Sequence, residues 1–147
     1  MIALDTTVLV YAVGTDHPLL EPSRSIVRAV GDGRLAATTT VEVIQEFAHV
    51  RARRRDRREA SERAAEFAAL LAPLLQPDAE DLRDGLDLFA AGPRLGAFDG
   101  VLAAVVARHE RVTGLVSADR AFAEVTGLVH HDLAASDVLD TLGGLQP

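Results

Sequence analysis

At 147 residues, 48% hydrophobic and 25% charged, the chain has the size and balance of one globular domain. It contains no cysteine and no lysine, which excludes disulfides, thiolate metal sites, cysteine nucleophiles and catalytic lysines; all 15 basic residues are arginine. A net charge of −7 excludes a generally basic nucleic-acid binder, so an anionic partner has to be met by local positive charge.

No run is long enough to span a membrane, and the N-terminus lacks signal-peptide features, so a cytoplasmic location is expected. No internal repeat or linker divides the chain, and residues 1–147 are expected to form a single domain. Ile2–Asp5 predicts a short buried strand, followed by the apolar run Val8–Ala12. Pro22–Val30 predicts a helix ending near Gly31 and Gly33, and Leu35–Thr38 a second strand. Thr39 or Thr40 then caps a helix whose apolar residues Val43, Phe47 and Val50 recur at i, i+4, i+7.

A further helix is expected over Glu59–Leu71, then a short extended piece over Pro73–Pro77. Asp78 or Glu80 opens the next helix, which runs to Gly92. Phe98–Arg108 is helical, with Val101, Leu102, Val105 and Val106 on its apolar face. Strands are expected at Gly114–Ser117 and Gly127–His130, and a last helix at Ser136–Leu142. Short strands alternating with helices imply an α/β fold, a three-layer α/β/α sandwich with a short, mostly parallel central sheet.

Asp5 breaks the apolar N-terminal run, and a buried carboxylate costs several kcal/mol unless compensated. No cap or turn role is apparent for it in the sequence, whereas taken alone Asp99 reads more readily as a helix N-cap and Asp119 as a turn residue. In open parallel sheets the ligand crevice lies at the carboxyl ends of the strands, where Asp5 and Asp119 are expected. Asp99 opens an otherwise apolar helix, and Glu46 lies on the helix after the second strand. Converging carboxylates repel one another and need a cation. All-oxygen ligands suit Mg²⁺ or Mn²⁺, which can activate a water for in-line displacement at phosphorus. The expected metal ligands are Asp5, Asp99 and Asp119, with Glu46 completing the site. Asp5→Asn is expected to stop the chemistry and to relieve repulsion.

The stretches "MIALDTTVLVYA", "VIQEFAHV", "FDGVLAAVVARH" and "LVSADRAFAEV" resemble, in order and spacing, the PIN domains, and within them the VapC-type toxins of bacterial toxin–antitoxin modules. The resemblance spans nearly the whole chain and places the family's acids on Asp5, Glu46, Asp99 and Asp119. It implies an Mg²⁺-dependent endoribonuclease acting on structured RNA, a VapB-like antitoxin that blocks the cleft, and a homodimer. Thr7 stands where the family usually has Asn or Ser, and Ser117 where Thr is frequent; both keep a hydroxyl beside an acid. Glu42, one turn before Glu46 on the same face, is the alternative glutamate; alignment on "VIQEF" selects Glu46.

Competing readings are an Asp-nucleophile phosphatase, a phosphorelay receiver, a non-toxin PIN nuclease and an inactive PIN scaffold. The first wants an acid at Thr7, and both it and the receiver want a lysine, which the chain lacks. Adjacent His130 and His131 point to opposite faces of a strand, and His49 and His109 are expected at the surface. The basic island "VRARRRDRRE" is expected to hold the RNA backbone through Arg53, which returns to the azimuth of Glu46 after about two turns, with Arg57 beside it. Arg51, Arg55 and Arg58 are expected on the opposite side.

Overall fold

The computed structural model describes residues 1–143. Ile2–Leu4 (β1), Ala37–Thr38 (β2), Leu115–Ser117 (β3) and His130–Asp132 (β4) form a four-stranded, wholly parallel sheet in the order β2-β1-β3-β4. Register pairs Ala3 with both Thr38 and Leu115, so β1 lies at the centre with every residue buried. Parallel strands need long crossovers, and the helices that provide them cover both faces as the third and first layers.

The helices are α1 (Thr6–Ala12), α2 (Leu20–Gly31), α3 (Val41–Arg54), α4 (Arg57–Leu70), α5 (Ala79–Ala91), α6 (Ala97–Arg108) and α7 (Val138–Gly143), with a 3-10 turn at Arg120–Glu124. Thr40 caps α3 by accepting from the Val43 amide at 3.2 Å, as its position in the sequence suggests. The buried run Thr38–Thr40 is satisfied by its surroundings: Thr39 donates to the Leu4 carbonyl at 2.6 Å and Thr38 to the Pro73 carbonyl at 2.8 Å. Leu75 bridges to Thr40, so the extended piece at 73–77 extends the edge beyond β2.

Three expectations change, and the run after Asp5, unassigned from the sequence, is a helix, α1, that buries Val8, Leu9 and Ala12 at i, i+1, i+4. The second helix starts at Leu20 rather than Pro22. The last strand is His130–Asp132 rather than Gly127–His130, because Gly127 turns the chain at φ 85° and β4 pairs Leu115 with His130. The basic island is not one helix: α3 ends at Arg54, Arg55 is extended, and Asp56 starts α4 by accepting from the Glu59 amide at 2.8 Å.

Among the described residues no helix is long and apolar enough to cross a membrane. α5 and α6 pack at backbone distance through glycines. A Cβ on Gly100 would stand 2.3 Å from the Gly85 carbonyl oxygen, and one on Gly85 would stand 2.5 Å from the Val101 Cα. Arg108 closes the pair by bonding Asp81 at 3.1 Å and by pairing with Glu80. Gly85→Ala gains up to about 1 kcal/mol of helix propensity. It also forces backbone apart, an overpacking cost of about 1–3 kcal/mol. The clash wins, so urea melts of Gly85→Ala are expected to show net destabilisation.

Candidate active site

β1 and β3 are neighbours, but the chain leaves β1 toward β2 on one side and β3 toward β4 on the other, so a crevice opens between their carboxyl ends. Asp5 sits there, 3% exposed, as the N-cap of α1. Its Oδ1 accepts from the Thr6 amide at 2.7 Å. Its Oδ2 accepts from the Thr7 hydroxyl at 2.7 Å and the Ser117 hydroxyl at 2.6 Å. Asp5 therefore does have a capping role, contrary to the sequence expectation. Hydrogen bonds, before any cation, compensate its burial.

The same two hydroxyls fix the loop after β3. Ser117 Oγ accepts from the Asp119 amide at 2.9 Å, and Thr7 Oγ1 accepts from the Ala118 amide at 3.1 Å. Asp119 in turn caps the 3-10 turn through a 2.8 Å bond from the Ala121 amide to Oδ1. Across the crevice the Thr6 hydroxyl donates to Glu46 Oε2 on α3. Asp99 lies in the first turn of α6, whose N-cap, Gly96, has no side chain to offer. A Cβ on Gly96 would come within 2.8 Å of Asp99 Oδ2, so a larger residue there would displace the end of the Asp99 side chain.

All four acids line one cleft of about 280 Å³, together with Thr6, Thr7, Val10 and Tyr11 of α1 and Val50 and Arg54 of α3. Their convergence shows in Asp99. Burial and then the charges of Asp5, Asp119 and Glu46 push its carboxyl up to about 6, against the Gly96 amide that favours ionisation. Glu42 is absent from the cleft, and its Oε2 is buried without a partner among the described residues. Geometry thus places Glu46, not Glu42, with the aspartates.

The oxygen donors fit a hard divalent cation. Among the described residues, however, no three acids or histidines are already arranged to hold an ion. Asp5 Oδ2 has both lone pairs engaged, which confines direct ligation by Asp5 to Oδ1. Asp99 and Asp119 are the freest donors, and Mg²⁺ commonly takes only one or two carboxylates with waters.

The arginines divide differently from the helical-wheel expectation. Arg53 lies outside the cleft, in a recess between α3 and α4 that it shares with His49 and Arg57. Arg54 reaches the cleft instead. Relative to Glu46, Val50 and Arg54 lie at about +40° and +80°, and Arg53 at about −20°. α1 flanks the positive side and α4 the negative, so Glu46 stands on the border between them. Arg51 donates three bonds to Glu59, at 3.2, 2.9 and 2.6 Å, and one to the Val13 carbonyl at 3.0 Å, joining α1, α3 and α4. His130 bonds the Ser117 carbonyl at 3.2 Å, whereas His131 Nε2 is buried without a hydrogen-bond partner among the described residues. Thr6, Tyr11 and Arg54 were not singled out in the sequence; spacing of i+4 from Thr7 and of i+8 from Glu46 was the available signal.

Asp99 binds its proton more tightly in the native state than at its ordinary 3.8. Stability of the metal-free protein therefore falls as pH rises between about 4 and about 6. Asp99→Asn is expected to melt above wild type at pH 7 in chelator, with the gain vanishing near pH 4. Asp5→Asn is expected to melt below wild type at both, by about 1–3 kcal/mol, because an amide NH₂ would face donors. This reverses the expectation of relief at Asp5. Calorimetric melts of the two variants decide it, and a destabilised Asp99→Asn at pH 7 would remove the shared-charge account.

The PIN domain family model matches residues 2–128. Over 144 residues the chain is 50% identical to Ribonuclease VapC7 of Mycobacterium tuberculosis, covering 97% of this chain and 99% of that one. It is 32% identical over 131 residues to Ribonuclease VapC13 of the same organism, covering 87% of this chain and 97% of that one. VapC ribonuclease Mb1869c of Mycobacterium bovis matches to the same extent. With the sheet order, the buried strand-end aspartate and the shared acidic cleft, these matches place the chain in the PIN domain family.

Proposed function

We propose that this PIN domain is a metal-dependent endoribonuclease of the VapC type, the toxin of a toxin–antitoxin pair, cutting structured RNA. The observation that carries the reading is the cleft in which Asp5, Glu46, Asp99 and Asp119 share one electrostatic environment. When bound, Mg²⁺ or Mn²⁺ supplies the positive charge that lets these carboxylates stay ionised together and draws a phosphate to them. Asp99 and Asp119 are the principal holders of the ion, with Asp5 Oδ1 beside them. Thr6 orients Glu46 through Oε2, leaving Oε1 without a hydrogen-bond partner among the described residues and able to accept the attacking water's proton.

The phosphatase reading fits the site less well. Two hydroxyls occupy Asp5 Oδ2, and the chain has neither an acid at Thr7 nor a lysine to serve that chemistry. A non-toxin PIN nuclease would share the chemistry and differ in having no antitoxin. A VapB-like antitoxin is supported by charge: an arginine reaching the cleft would meet clustered carboxylates that accept it bidentately.

A second copy of the chain fits α5. Leu82, Leu86 and Phe89 recur at i, i+4, i+7 and are 50%, 45% and 47% exposed, an apolar stripe beside the α6 contact. A two-fold axis crossing α5 near Leu86 sets Arg83 of one copy about 3 Å along the axis from the partner's Asp87, two residues' rise. Asp87 makes no ion pair within the chain among the described residues, and Arg83 pairs only with exposed acids. Leu86→Glu is expected to give a monomer by sedimentation at a concentration where wild type is a dimer. A wild-type monomer would overturn the interface.

Cleavage is tested with structured RNA, Mg²⁺ and end mapping. Asp99→Asn is expected to lose more than the about 10–100-fold that outer-shell changes cost at metal sites, and chelator to stop wild type. Glu46→Gln is expected to lose more activity than Glu42→Gln. Full activity in chelator, or a larger loss at Glu42, would count against this assignment.

A further inference from the structure

The cleft continues beyond the carboxylates along two neighbouring helices. On α1, Thr7, Val10 and Tyr11 face it at i, i+3, i+4; on α3, Glu46, Val50 and Arg54 face it at i, i+4, i+8. At 1.5 Å per residue, Tyr11 stands about 9 Å along its helix from Asp5 and Arg54 about 12 Å from Glu46. Between the acids and this far end the helices contribute only valines, so the groove changes from carboxylate to apolar. It then ends on an aromatic ring and a cation.

Tyr11 is the chain's one tyrosine and the only aromatic side chain lining the cleft. Its ring stacks on His17, with centroids 4.3 Å apart and planes 18° from parallel. His17 is held in turn by a 3.1 Å bond from the Leu19 amide to Nδ1. Arg54 is exposed and makes no ion pair among the described residues, unlike Arg51 and Arg58 of the same island. Arg51 meanwhile ties the end of α1 to α3 through the Val13 carbonyl, which fixes the groove's width at this end.

We propose that Tyr11 and Arg54 form a subsite for an unpaired nucleotide, the base stacking on Tyr11 with His17 behind it and the adjacent phosphate held by Arg54. The proposal rests on the ribonuclease reading of the acidic end. A nucleic-acid strand matches the whole groove: one phosphate goes to the metal end, and a base and a further phosphate reach the far end a few nucleotides away. Tyr11 and Arg54 touch substrate away from the reacting atoms, so they set affinity and position rather than chemistry.

The test uses the full chain and a labelled single-stranded RNA of mixed sequence, followed by anisotropy across a salt series. Single-turnover cleavage of a structured RNA is measured alongside. Tyr11→Leu is expected to weaken binding about 5- to 100-fold, the worth of one base–aromatic stack. It raises the half-saturating concentration while leaving the saturated cleavage rate unchanged. Tyr11→Phe keeps the ring and retains wild-type affinity, which separates stacking from folding. Arg54→Gln is expected to reduce the slope of log affinity against log salt by about 0.7, and Arg55→Gln to leave it unchanged. If wild type binds and cuts RNA but Tyr11→Leu binds equally well, or Arg54→Gln and Arg55→Gln change the slope alike, the subsite is overturned and the nuclease reading survives. If wild type neither binds nor cuts RNA, both fall.

Discussion

The hydrogen bonds that converge on the Asp5 carboxylate set the geometry of everything around them. Thr7 and Ser117 each have one hydroxyl proton, and both spend it on Oδ2. Each hydroxyl oxygen is then left as an acceptor, and each takes a backbone amide of the β3 loop, Ala118 or Asp119. One buried charge thereby fixes where a distant strand releases its own aspartate. Through Thr6, the residue after Asp5, the same turn also fixes Glu46 on α3. The acids are held in place by the protein's own donors, so the arrangement does not depend on a cation to exist.

Asp99 is the counterpart, a carboxyl whose surroundings work against its charge. It enters from α6, takes an amide from the Gly96 cap, and otherwise faces burial and three acids already anchored elsewhere. Helix N-termini mitigate this, since Asp5 caps α1 and Asp99 lies in the first turn of α6. They do not remove it, and the carboxyl remains pushed up to about 6. A bound cation would offset this repulsion between the clustered carboxylates. Asp5 and Asp99 thus divide two tasks that a cluster of equivalent acids would confuse: one keeps the site assembled, the other makes it receptive.

Much of this was legible because the chemistry sat at grammatical positions in the sequence. Asp5 and Asp119 follow buried strands, Asp99 interrupts an apolar helix, and Thr7 and Ser117 keep hydroxyls at the right distance from acids. The parallel sheet followed from short aliphatic runs spaced by helices. The capping role of Asp5 was missed because "TTVLVYA" is only seven residues long, too short for a helical period to separate it from a continued strand. The arginines were misplaced for a different reason. A helical wheel gives an azimuth, but which neighbour occupies each side of that azimuth is decided by packing. α1 took the side of Val50 and Arg54, and α4 took the side of Arg53. Asp56, read as one acid in a basic run, was the N-cap that divided the island into two helices.

The way arginine is spent explains how an acidic chain can present a surface for a polyanion. Arg58, Arg63, Arg83, Arg94, Arg108 and Arg120 are paired with acids of the same chain, and Arg51 is locked to Glu59. Arg53, Arg54, Arg55 and Arg57 make no ion pair among the described residues, and they lie together where α3 ends and α4 begins. At physiological salt, charges beyond about 8 Å are largely screened. Of these only Arg54 lines the cleft, so a strand there responds to Arg54 more than to the net charge of −7. The excess of acid elsewhere discourages RNA from adhering to the rest of the surface. For an RNA substrate, selectivity for the cleft then comes from placing an unpaired arginine, Arg54, beside the carboxylates, which a uniformly basic surface would not achieve.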